Sequence, residues 1–167
     1  MKTVAHVGAA RLGLLLGGAL SAAALLTGAA SAATPRRPTL EVTVIHALHT
    51  DGGVSIDPRL KDLPPPVREP FVRYNVYKLL DTKNLPLEAG KPATNVLANG
   101  RTLQVTLVDA VADAGAPRFH VRAEIGEPGK QAFLKLLEVT ASGNEPFFVG
   151  GQSYQGGTLL IELVVRP

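Results

Sequence analysis

From Leu40 onward, apolar and polar residues alternate over most of the chain, the period of two that lines opposite faces of a β-strand. The closing stretch, Glu145 to Arg166, carries the pattern furthest. Leu159, Ile161, Leu163 and Val165 fall on one face, and Leu160, Glu162, Val164 and Arg166 on the other, after a glycine-rich loop over 150–157. These runs predict a terminal β-hairpin. So apolar a strand would aggregate as an open edge, which places it inside a sheet with the earlier strands around it.

The same reading applies further upstream. Leu40 to His49 is the first predicted strand, with Leu40, Val42, Val44, His46 and Leu48 on one face and Glu41, Thr43, Ile45 and His49 on the other. A turn cluster, TDGGVS, follows. Asp57 before Pro58 is an N-cap with proline at the first helical position, so a short helical turn is expected near 58–63, ended by Pro64-Pro65-Pro66. Phe71 to Leu80 has aromatics at a spacing of three but is rich in strand formers, and it reads as a strand. Pro86 and Pro92 mark an edge segment. Asn99-Gly100 joins two alternating runs as a two-residue type I′ hairpin, with Val96 opposite Leu103 and Thr94 opposite Val105. In the run 118–125, Phe119, Val121, Ala123 and Ile125 point inward while Arg118, His120, Arg122 and Glu124 face water. The stretch from Gln131 to Thr140 fits a short helix or a strand, and its second half is assigned as strand.

About eight short strands, frequent Pro and Gly turns and no alternation of strands with helices predict an all-β fold. The expected form is an antiparallel β-sandwich, with a closed β-barrel as the alternative.

The first 32 residues read differently. Lys2 and Arg11 precede an apolar run ending at Leu26, and Ala30-Ser31-Ala32 has the form of a cleavage site, which predicts a signal peptide over 1–32. A mobile lead-in over 33–39 and one domain over 40–167 complete the expected organisation. The run is too short and too rich in Gly and Ala for a membrane span, so no integral span is expected after cleavage. The protein is therefore expected to be exported, periplasmic or secreted. Of 17 Lys and Arg, the leader holds two, leaving 15 against 14 Asp and Glu. That near balance, with no basic run, argues against nucleic acid as a partner. With no cysteine in the chain, disulfides, thiolate metal sites and thiol catalysis are excluded.

Few residues carry a chemical signal. His46, His49 and Asp51 are metal-ligand types in proximity, but an i,i+3 pair on a strand points to opposite faces where ligands must converge. Gly150-Gly151-Gln152 matches the GGQ of peptide-release factors over three residues only, and an exported protein never meets peptidyl-tRNA. Ser153 falls one residue short of the G-x-S-x-G elbow, and a strand rather than a helix follows. The chain has no Trp for a carbohydrate platform and, beyond Met1, no Met for a copper site. Accordingly, no catalytic residue and no cofactor is expected.

The apolar leader, PFVRYNVYKLL, LANGRTLQVTL and VGGQSYQGGTLLIEL together resemble a set of small exported, uncharacterised β-sandwich proteins of Gram-negative bacteria. The resemblance spans most of the chain after the leader and implies export and a β fold, with no activity or site residue attached. The function expected is a non-enzymatic interaction or accessory module of the cell envelope. It would bind an envelope protein or surface component through end loops 51–70 and 150–157, using Arg59, Lys61, Arg68, Gln152 and Tyr154. The alternative is a metal-dependent hydrolase using His46, His49 and Asp51, or a serine hydrolase using Ser153.

Overall fold

Nine strands in two stacked sheets make up the fold in a computed structural model, which describes residues 37–60, 71–111, 117–130 and 132–167. In chain order these are β1 (Thr39–Leu48), β2 (Ser55–Ile56), β3 (Val76–Pro86), β4 (Pro92–Val96), β5 (Thr102–Val111), β6 (Arg118–Gly126), β7 (Phe133–Ser142), β8 (Pro146–Tyr154) and β9 (Gly157–Arg166). One sheet has the order β2-β3-β1-β9-β8 and the other β4-β5-β6-β7. All pairings are antiparallel except the two-residue β2–β3 contact. Each sheet keeps two edges, so the fold is a sandwich and not the closed barrel weighed as its alternative.

The terminal strand sits where its pattern places it. β9 lies between β1 and β8, and Leu159, Ile161, Leu163 and Val165 are fully buried. They meet Leu40, Val42 and Val44 of β1 and Leu103, Val105, Val121 and Ile125 of the facing sheet in the main core. Aligned sheets place such inward residues in one interdigitated layer about 10 Å thick. The inner face of β6 is likewise the expected one, Phe119, Val121, Ala123 and Ile125.

Several local expectations are corrected. The loop between β4 and β5 has three residues rather than two: Leu97 N–H bonds Arg101 O at 2.8 Å, Gly100 N–H bonds Leu97 O at 2.9 Å, and Gly100 takes φ 79. This is the turn-plus-left-handed-glycine hairpin, and it shifts the register by one. Val96 pairs Thr102, Asn95 pairs Leu103, and Thr94 pairs Gln104. The shift buries Leu97 rather than Val96, leaving Val96 64% exposed. Phe71–Arg73 is a 3₁₀ turn, not strand, and β3 starts at Val76. Asn75 explains the break, since its side chain accepts from Thr50 N–H at 2.8 Å and donates to Thr50 O and Gly52 O, closing the connection from β1. Of the helical turn expected near 58–63, residues 57–60 form one hydrogen-bonded turn, Leu60 N–H to Asp57 O at 2.9 Å, and 61–63 lie outside the described residues. Residues 1–32, expected as a signal peptide, and most of the expected lead-in over 33–39 also lie outside them. The ambiguous stretch after Gln131 is strand throughout β7.

The long connection between β1 and β3 does more than link strands. Leu60 and Tyr74 pack on the outer face of the five-stranded sheet, over Ile45, Ala47, Tyr77 and Leu160, forming a second apolar cluster. This explains why β1 and β9 are buried on both faces near this end. On β3, Lys83 pairs with Val42 and so points inward, with its ammonium 2.8 Å from Asn95 Oδ1 of β4. An inward charge protects an edge from pairing with another chain.

Candidate functional site

The residues singled out in the sequence are scattered. His46 is buried on the inner face of β1, where Nε2–H donates to Tyr154 O at 3.0 Å and the ring meets Tyr154 edge-on at 5.0 Å. β1 ends at Leu48, so His49 and Asp51 lie beyond it, both exposed. Among the described residues no group of three or more His, Asp or Glu side chains is placed to hold a metal ion. Ser153 is exposed on β8 opposite Thr158, and His46 bonds the neighbouring carbonyl rather than its hydroxyl. His120, expected as a plain surface residue, is half-buried with Nε2 3.0 Å from Glu138 and Nδ1 3.6 Å from Asp109.

The 150–157 segment is mostly strand. Val149 pairs Ile161 and Gln152 pairs Leu159, so Gly150 and Gly151 stand opposite the single Leu160 as a bulge with Gly151 at φ 94, and the turn itself is Gln155-Gly156 at φ 42 and 77. Both turn residues are left-handed, as a type I′ turn requires. Gln152, expected to face a partner, is buried instead and accepts from Arg101 Nη1 at 2.8 Å, tying the two sheets together at this end. Tyr154 is half-buried against the core. Arg59 is exposed but committed to Asp57, with Nη2 at 2.6 Å and Nε at 2.9 Å from the carboxylate. Those hydrogen bonds hold the Asp57 carboxyl well below the usual carboxylate range. Lys61 and Arg68 lie outside the described residues.

What the fold does bring together is the stretch just after the long connection and the glycine bulge of β8. Arg73 and Tyr74, closing the long connection, face Gly150 and Gly151 of the β8 bulge across a groove of about 340 Å³ floored by Leu160. Each element has a local reason for its position. Asn75 stops the 3₁₀ turn and presents Arg73 and Tyr74. The bulge widens the edge strand, and two glycines leave its backbone open to close approach. On the same outer face, a second groove of about 280 Å³ runs past Leu60, Leu79 and Val164 toward the Arg166–Glu41 pair at 2.9 Å. Arg73 and Tyr74 were not picked out in the sequence. The spacing of three through Phe71, Tyr74 and Tyr77 was the signal that this stretch turns.

No helix among the described residues is long and apolar enough to cross a membrane. No family model, curated protein or solved structure matches the chain.

Proposed function

We propose that the chain is a non-enzymatic, exported interaction module of the cell envelope. It holds an extended segment of a partner protein in the groove between Arg73-Tyr74 and the Gly150-Gly151 bulge. The observation that carries this reading is the convergence of those two segments, remote in sequence, on one open groove at a sheet edge. β8 is an edge strand, so its outward backbone groups offer an added strand hydrogen bonds. Tyr74 and Leu160 supply an apolar floor, and Arg73 selects a segment carrying a carboxylate. Val72, 55% exposed beside Arg73, widens the contact.

The test is capture from the envelope fraction of the native host with tagged protein, comparing wild type with Arg73→Glu and Gly150→Trp. A β-carbon at Gly150 meets Leu160, the floor of the groove, at only 3.2 Å, so a large side chain there either fills the groove or displaces its floor. One discrete partner retained by wild type and lost by both folded variants supports the reading; identical capture by all three rules it out. Export is tested separately by N-terminal sequencing of the protein from the host, with Ala33 as the expected first residue.

A further inference from the structure

We propose that β7 pairs with β7 of a second copy of this chain, antiparallel and across a twofold axis, joining two four-stranded sheets into one.

The other edges are blunted. β2 has two residues, β4 has five and opens on Pro92, the open part of β3 turns Lys83 inward, and β8 borders the groove assigned above to a partner segment. β7 runs for ten residues, Phe133–Ser142, with neither proline nor glycine. It also exposes apolar surface: Leu134 is 68% exposed and Phe133 36%, beside a hollow of about 300 Å³ shared with Ile125, Ala132 and Arg101. An open edge of this length and composition is a template for another strand.

The occupant follows from the charges on β7. Ala123 pairs Leu137 while Glu124 pairs Lys135, so Leu136 is an extra, bulged residue. In a regular strand, residues three apart point to opposite faces. The bulge puts Lys135 and Glu138 on the same face, where ammonium and carboxylate meet at 2.5 Å. In terms of face, Lys135, Leu137 and Glu138 now occupy three successive positions. A twofold axis through Leu137 therefore sets Lys135 directly opposite the partner's Glu138, and Glu138 opposite the partner's Lys135. The same axis sets exposed Leu134 against the partner's Val139, both on the core side, since Leu134 pairs Ile125 and Val139 pairs Val121. Moving the axis to Lys135 or to Glu138 would put like charges opposite each other, which is unfavourable. The strand is complementary to itself in one register, which selects a second copy over an unrelated extended segment. A single strand pairing is a small interface, so the association is weak.

Sedimentation velocity of the purified protein up to about 1 mM, the range of weak specific pairing, tests this. Wild type should dimerise. Lys135→Glu and Glu138→Lys, each melting cooperatively, should each self-associate at least about tenfold more weakly, because each homodimer faces two like-charge pairs. An equimolar mixture of the two should recover wild-type association, since every cross-chain pair is then opposite in sign. Leu134→Lys, at an exposed position, should also lose the dimer. A monomeric wild type, single variants that dimerise as wild type does, or a mixture that fails to recover would each overturn the proposal.

Discussion

Replacing Ile161 tests the placement of β9 quantitatively. Its side chain is fully buried, its strand partners are Val44 and Val149, and it faces the main core. Ile161→Ala removes three carbon groups worth about 0.8 kcal/mol each in transfer. The cavity left by an incompletely relaxed core raises the total to about 3–4 kcal/mol. For a folded domain of about 130 residues, the unfolding entropy near 0.27 kcal/mol/K converts this to a fall in Tm of about 11–15 °C. Val54→Ala, at a position 66% exposed outside any strand, is the control and should stay within about 0.5 kcal/mol. Thermal melts followed by circular dichroism, with urea titrations alongside, measure both. Ile161→Asp should yield no folded protein, because a carboxylate there has neither water nor a partner. A soluble, cooperatively melting Ile161→Asp, or an Ile161→Ala loss no larger than that of Val54→Ala, would refute the central position of β9.

Other expected outcomes address separate contacts. A β-carbon on Gly157 would lie 2.3 Å from Ala47 O and 2.9 Å from His46 Nε2, so Gly157→Ala should cost about 1–3 kcal/mol or more in urea unfolding; an unchanged midpoint would contradict that close approach. Asn95 Nδ2 is buried without a partner, and Asn95 Oδ1 serves Lys83. Replacing both, Lys83→Met with Asn95→Leu, should leave stability within about 1 kcal/mol of wild type or above it. Light scattering should show faster aggregation through the unprotected β3 edge, and unchanged aggregation would remove that role from Lys83. Hydrogen bonds from Lys135 and then Arg122 lower the Glu138 pKa from 4.5 to about 2. A carboxylate whose folded pKa is depressed adds stability above its unfolded pKa and loses it as pH falls toward the folded value. The difference in Tm between wild type and Glu138→Gln, measured in dilute protein, should therefore be positive at pH 7 and shrink from about pH 4.5 to about pH 2; a difference independent of pH would contradict the network.

The strands with one wet face or two buried ones were legible in the sequence because burial imposes its own period. β6 and β9 are the clearest cases, and the sandwich follows from them. The β4–β5 register was not, because the choice lay between burying Val96 and burying Leu97. Burying Leu97 wins, with Asn95 then turned inward to meet Lys83, a long-range contact that no local pattern encodes. β7 read ambiguously because the bulge at Leu136 breaks its alternation. The two-residue β2 is too short to leave a periodic signal. For the candidate site, the glycines over 150–157 marked a hairpin loop, but composition alone does not separate the bulge at Gly150-Gly151 from the turn at Gln155-Gly156. The roles of Gln152 and Arg59 were not legible, since each is decided by a partner, Arg101 and Asp57, rather than by its exposure as a loop residue. The convergence of Tyr74 on Leu160 depends on the long connection folding back over the outer face, which no spacing in the chain specifies.

Photo-crosslinking in the native host, from a probe at Val72 beside the groove and from a control probe at Thr106 on the other sheet, tests the partner-binding account most directly. One discrete adduct from Val72, abolished by Arg73→Glu, with none of that size from Thr106, is the expected result. Equal adducts from both positions, or a Val72 adduct indifferent to Arg73→Glu, would contradict it.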